Sequence, residues 1–398
     1  MGARDSPFVA NATIQHHLDK IILESKDPDE IAAAKLVKTR IYIDDVILSL
    51  RDISSAIKMR KIISSIFEKA GMKMTKWASS NPEVLKSIPL EQRAPMEDMS
   101  FSIEEGSQGI VTKPTKVIGM AWKPNIDCFT FDQYAKLAEE RIIYTKRFVS
   151  SLVPRIYDLN GYLAPFILRG KNILQTCWTY IDRSTGKQLG WDDELPLPIQ
   201  NEFNNYIQDI PKIAQQSVPR YIFGKDGLGQ LRNPPSLDEL EIHTFVDGGN
   251  LGWGCSAYIR FPIEHHEKYD SSLIQARSRM APTKNQLSAP RKELNGGVLG
   301  VETTTILAKE LCIPHNKCFI HMDSCICLFW ITKPLGKLKT YVTNRVKILQ
   351  ESKMNFIYTS SEENVADLLT KIRPISTYLN NEIWLKGPSF LRKPNHQW

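Results

Sequence analysis

Residues 241–247 read "EIHTFVD", a β-branched, apolar run that ends on a carboxylate, Asp247, and is followed at once by Gly248 and Gly249. Such composition favours a pleated strand. Downstream, "GWGCSAYIRF" and "LIQARSRMA" read as a second and a third strand, and an apolar periodicity of 3.6 marks a helix over about 290–311. "KCFIHMD" is a fourth strand, "SCICLFWIT" and "KTYVTNRVKILQES" are helical, "NFIYTS" is a fifth strand and "EENVADLLTK" a closing helix.

Three strands, a helix, a strand, two helices, a strand and a helix is the element order of the RNase H fold. Four acids fall at element ends within it: Asp247 ends the first strand, Glu293 opens the long helix, Asp323 ends the fourth strand and Asp367 stands one turn into the last helix. Any one of them alone reads more simply as a surface acid. Four in order are the donor set for two hard cations, Mg2+ or Mn2+, about 3.5–4 Å apart, which together activate a water and steady a leaving 3′-oxygen. Without metal the four would repel and raise one another's pKa. Leu294, Val298 and Val301 give the helix a buried face beside Glu293, and Ser360 with Glu363 predicts a capping box before the last helix. No histidine lies between Asp323 and Asp367 to assist turnover.

The N-terminal third poses a second question. "IYIDDVILSL" at 41–50 reads as a buried or half-buried strand, or a tight hairpin, carrying two adjacent acids, Asp44 and Asp45. Paired carboxylates at a hairpin tip can hold the metal of a polymerase, although an acidic, solvent-facing turn explains a bare Tyr-x-Asp-Asp equally well. A helix is expected over 12–36, with Ile14, His17, Leu18, Ile21 and Ile22 on one face. Another is expected in "SSAIKMRKIISSIFEKAG", closed by Gly71. "MKMTKWASS" reads as a strand, a Pro- and Ser-rich acidic loop runs to about 113, and "KVIGMAWKPNIDCFTF" reads as two strands around Lys-Pro-Asn. Residues 131–182 read as mostly helical, and 183–236 as a linker with one or two short helices.

With these segments in view the chain resembles the Pol polyprotein of BEL/Pao retrotransposons. "YIDDVILS" is similar to that family's polymerase hairpin, "MGARDSPF" and "GMKMTKWASSN" to its flanks, and "KVIGMAWKPNIDCFTF" to its primer grip. "TKRFVSSLVPRIYDLNGYLAPFILRGKNILQTCW" resembles the segment after the palm, and "DGG", "PRKEL", "MDS" and "NVADLLTK" resemble the family's acidic segments. The resemblance implies an α+β to α/β multidomain chain. A partial reverse-transcriptase palm would occupy 1–130, a helical thumb or connection 131–236, an RNase H domain with a mixed five-stranded sheet 237–372, and a tail 373–398. It also implies a third polymerase aspartate upstream of "SPF", which Asp5, Asp19, Asp27 and Asp29 do not match, so the palm is expected not to polymerise alone. Cleavage of RNA in RNA–DNA hybrids is the expected activity. Other retroelement Pol or Gag products are possible partners.

Rival readings are weaker. The excess of seven positive charges suits nucleic acid without requiring it, and Lys58, Arg60 and Lys61 are candidate phosphate contacts for a remnant that binds without cutting. Cys312, His315, Cys318 and His321 have the spacing of zinc ligands, but an odd offset on a strand points Cys318 and His321 to opposite faces. An aspartic peptidase lacks its Asp-Thr/Ser-Gly loop, "VDGG" being the nearest match, and "GKDGLG" at 224–229 lacks the Lys-Ser/Thr of a phosphate loop. "MGARDS" fits a myristoylation pattern with no second membrane signal. No apolar run spans a bilayer, and seven cysteines without a signal peptide suggest reduced thiols and an intracellular protein, cytoplasmic or nuclear.

Overall fold

The structure is a computed structural model that describes residues 5–94, 115–226, 229–263, 268–284 and 286–394. The acidic loop expected before residue 113 lies largely outside these, as does the Met-Gly of the myristoylation pattern. Two compact units are present, 1–130 and 131–398.

In the first unit, α1 (Ser6–Glu24) and α2 (Pro28–Arg40) replace the single helix expected over 12–36. Pro28 disfavours helical geometry at Asp27, whose extended backbone and side chain, accepting from the Asp29 N–H at 2.9 Å, start a new helix. Then come β1 (Ile41–Tyr42), β2 (Asp45–Val46) and α3 (Ile53–Lys69), capped by Asp52. Leu18, Ala33, Ala34 and Val37 pack on Ile63, Ile66 and Phe67. Between α3 and α4 (Pro82–Lys86), "MKMTKWASS" fails to form a strand. Only Trp77 bridges to Arg93, because the chain before Arg93 is a 3₁₀ turn and offers no ladder. Three antiparallel strands, β3 (Thr115–Val117), β4 (Met120–Lys123) and β5 (Cys128–Thr130), stand where two were expected. The extra turn is Ile118–Gly119, both at positive φ.

In the second unit, α5 (Lys146–Leu152) and α6 (Ala164–Thr179) form the helical stretch. Residues 139–145 are not helical, since Thr145 caps α5 from an extended conformation. The supposed linker contains α7 (Leu197–Ile213), a 17-residue helix that buries Phe203, Tyr206, Ile207, Ile210 and Ile213, and then a short strand, β6 (Ser217–Pro219). Prolines at the start of α7 suit a first turn, where no N–H partner is lost.

The central sheet holds β7 (Glu241–Gly248), β8 (Gly252–Ile263), β9 (Lys268–Met280), β10 (Cys318–Met322) and β11 (Asn355–Tyr358) in the order β11-β10-β7-β8-β9. The first three run antiparallel, while β10 lies parallel to β7 and β11 parallel to β10. α8 (Ala289–Leu311) covers the face bearing Thr244 and Val246, joined by α9 (Cys325–Ile331) and α10 (Thr340–Glu351). The expected closing helix is a 3₁₀ turn, Val365–Leu369, capped by Asn364; Ser360 and Glu363 form a backbone turn and no capping box.

Residues 373–394, read as a tail, are packed against the sheet. Trp384, in α11 (Glu382–Lys386), and Leu391 are buried on the face carrying His243, Phe245 and Tyr258. Tyr258 donates to the Trp384 carbonyl at 2.9 Å, and Arg260 to the Leu391 and Lys393 carbonyls at 2.8 Å.

Candidate metal centre

The site begins with strand register. His321 of β10 pairs with Phe245 of β7, and Asp323 and Asp247 each follow two residues later, so parallel pairing brings both acids to one level at one end of the sheet. Glu293 arrives from α8. Gly248 donates its backbone N–H to the Glu293 carboxylate at 3.1 Å. A Cβ at Gly248 would stand 2.2 Å from the Glu293 nitrogen, one at Gly296 2.6 Å from the Asp247 carbonyl oxygen, and one at Gly300 2.4 Å from Val246. The bare stripe on α8 therefore sets how near Glu293 can come to Asp247.

Ligand atoms of Asp247, Glu293 and Asp323 all lie within 4.8 Å of one another, and they form the one such group of His, Cys, Asp or Glu among the described residues. Each carboxylate has a neighbour that orients it: the Thr370 hydroxyl donates to Asp247, the Gly248 N–H to Glu293, and the Ser361 hydroxyl to Asp323 at 2.7 Å. The second oxygen of Asp323, Oδ1, is buried without a hydrogen-bond partner. Burial, then the charges of Asp247 and Asp323, push the Glu293 carboxyl up to about 8. Burial chiefly raises Asp247 as well, with Asp323 and Asp367 adding to it and Thr370 opposing. Like charges 4 Å apart repel by about 4 kcal/mol at an effective dielectric of 20. A lone-pair oxygen with no donor and three crowded acids fit a hard divalent cation.

Asp367 is near enough to act on Asp247 but stands outside the triplet. Lys371 and Arg373 hold its carboxylate, the latter at 2.7 Å. Asp44 and Asp45 sit exposed at the β1–β2 turn, where Ile43 takes φ 55°, and join no metal-binding group among the described residues. Of the two readings of this stretch, a buried strand and a tight hairpin, the structure has the hairpin, exposed and with two-residue strands. On α3, Lys58 pairs with Asp29 at 2.6 Å, Arg60 is half-buried and Lys61 exposed. The Cys/His spacing makes no metal-binding group among the described residues: His315 bonds the Ser352 carbonyl and His321 bonds Thr359, and the seven cysteines form no disulfide. Among the described residues no helix is long and apolar enough to cross a membrane.

Sequence reading missed the supporting residues Thr370, Ser361 and the glycines. A visible signal did exist, in Gly248-Gly249 directly after an acid and in three glycines within five residues of a helix, Gly296, Gly297 and Gly300.

Residues 145–324 match a protein family described as the Pao retrotransposon-like RNaseH-like domain, a stretch that includes Asp247, Glu293 and Asp323. No curated protein matches the chain. Among solved structures, the foamy viral protease-reverse transcriptase in complex with dsDNA aligns over 91% of this chain and 60% of its own, at 13% identity and a TM-score of 0.44. The N-terminal RNase H domain of Rv2228c from Mycobacterium tuberculosis, fused to maltose binding protein, aligns over 32% of this chain and 95% of its own, at 14% identity and a TM-score of 0.23. LC11-RNase H1, isolated from compost, aligns over 32% and 91%, at 18% identity and a TM-score of 0.24. Residues 145–324 are therefore similar to a Pao retrotransposon-like RNaseH-like domain.

Proposed function

We propose that the second unit hydrolyses the RNA strand of RNA–DNA hybrids, with Asp247, Glu293 and Asp323 holding Mg2+ or Mn2+ and Asp367 completing the set. The observation that carries this is the meeting of three acids from three distant elements around the unpartnered, buried Oδ1 of Asp323. Metal held by these acids would lower the pKa of a water and offset charge on the departing 3′-oxygen. Thr370, Gly248 and Ser361 hold the three carboxylates in position before any ligand arrives. The Glu293 carboxyl, pushed up to about 8, would favour its ionised form beside a cation held there. Attack of water on phosphorus breaks the bond to the 3′-oxygen and leaves a 3′-hydroxyl and a 5′-phosphate.

In this reading residues 131–236 act as a thumb or connection to the RNase H-like part, 237–372. Residues 1–130 are a reverse-transcriptase palm remnant in which Asp44 and Asp45 mark the old metal site and Lys58, Arg60 and Lys61 face phosphates. The test is cleavage of a labelled hybrid by the full chain with Mg2+. Cleavage lost in Asp247→Asn and Glu293→Gln supports the nuclease, whereas unchanged cutting in those variants, or tight hybrid binding with no cutting, sinks it. Primer extension by the same protein would refute the inactive palm.

A further inference from the structure

A second feature of this unit lies at the same end of the sheet. A pocket of about 600 Å³ opens between α6 and the chain after β9, lined by Lys171, Leu174, Trp178, Met280 and Lys284 among others. Trp178 is 48% exposed, yet its ring is fixed. The Lys146 ammonium lies 4.4 Å from the ring centroid, Trp191 meets it edge-on at 5.1 Å, and Lys146 is itself buried and donates to the Leu189 carbonyl at 2.6 Å. Lys171 stands two turns before Trp178 on α6, and Gln175 between them pins the opposite wall through the Ala281 carbonyl at 2.9 Å. Neither Lys171 nor Lys284 has a carboxylate partner among the described residues. Burial holds the Lys171 ammonium below its ordinary pKa, so an anion beside it would favour its charged form.

We propose that this pocket takes an unpaired nucleotide from a single-stranded extension of the hybrid, its base on Trp178 and its phosphate between Lys171 and Lys284. The proposal rests on the nuclease reading. Register supports it: Asp247 pairs with Gly254, Gly254 with Ser278, and Gly252 with Met280, so the pocket lies two strands from Asp247 at the same sheet end. At ~4.8 Å per strand and ~3.4 Å per residue along β9, Met280 stands roughly 12 Å from Asp247, or about three to four nucleotide steps of ~3.4 Å. Strand alternation puts Met280 and Ser278 on the face that carries Asp247. A base inside a duplex is covered on both sides, so an open indole can stack only on one that is unpaired or terminal.

Fluorescence anisotropy on the full chain compares a blunt RNA–DNA hybrid with one bearing a short single-stranded extension. The extended hybrid is expected to bind about tenfold more tightly, the scale of one stacked base. Trp178→Ala should bring the ratio to about one, Trp178→Phe should keep most of it, and Lys284→Gln, on the exposed rim, should lower it about threefold. A wild-type ratio near one overturns the proposal, as does a ratio untouched by both Trp178→Ala and Lys284→Gln. If Trp178→Ala fails to fold, Lys284→Gln alone decides. Failure of the wild type to cut either hybrid would sink the nuclease reading separately, because the ratio needs no cleavage.

Discussion

Gly248 and Glu293 meet main chain to carboxylate: the glycine N–H donates to the Glu293 side chain at 3.1 Å, and the space a Cβ would need is taken by the Lys292–Glu293 peptide. Replacing Gly248 by alanine must push α8 off β7. Overpacking of this kind costs about 1–3 kcal/mol, and Gly248→Ala should lower the Tm accordingly and abolish hybrid cleavage. Gly336→Ala, where nothing lies within 4 Å, should leave both nearly unchanged. Equal effects at the two positions would refute the close approach.

The triplet predicts a metal-linked stability. Millimolar Mg2+ should raise the Tm through preferential binding to the folded state, and EDTA should reverse the shift. Asp247→Asn removes a buried charge and Glu293→Gln removes the cost of protonating that raised carboxyl on folding, so each should raise the metal-free Tm while erasing the response to Mg2+. A preserved response in both would show that the cation binds elsewhere.

Thr370 supports Asp247 without belonging to the triplet. Losing such a group typically costs roughly 10–100-fold in metal affinity or activity, and Thr370→Val should fall in that range while Asp247→Asn falls further. Asp367, engaged by Lys371 and Arg373, should be the mildest of the four acids when changed to asparagine. Kinetics that rank Asp367→Asn below Asp247→Asn would contradict the observed arrangement.

His243 and His321 pair ring to ring at 2.9 Å inside the sheet, with Glu241, itself held by Arg260, on one side and Thr359 on the other. Burial holds both rings below the ordinary 6.5 and therefore neutral. The unfolded chain binds protons there that the folded chain does not, so stability is present above pH 6.5 and is lost as pH falls below it. The slope is up to about 1.4 kcal/mol per pH unit for each ring. Urea melts between pH 7 and 5 should show it, and the double variant His243→Phe/His321→Phe should flatten it. A slope unchanged in that variant would place the acid sensitivity elsewhere.

Deleting residues 373–398 strips Trp384, Leu391 and the carbonyl partners of Arg260 from the sheet. Exposing that apolar face should cost several kcal/mol, at about 1.5–3 kcal/mol for each large side chain. The shortened chain should therefore melt early or aggregate. An unaltered melting curve would mean the segment is dispensable.

Periodicity along the chain determined a good deal. The five strands of the sheet, the helix at 289–311 and the positions of Asp247, Glu293 and Asp323 at element ends could be read directly, because alternation and helical spacing are local properties. Where reading failed, a distant partner had decided. "MKMTKWASS" has strand composition but no ladder beside it, α7 hides among prolines until its apolar face is buried, and the last helix shrinks to one 3₁₀ turn. Only the tertiary structure decided that parallel register levels Asp247 with Asp323, that bare glycines admit Glu293, and that Asp367 is drawn aside by Lys371 and Arg373. Those outcomes depend on interatomic distances between segments tens of residues apart, and no local pattern encodes them.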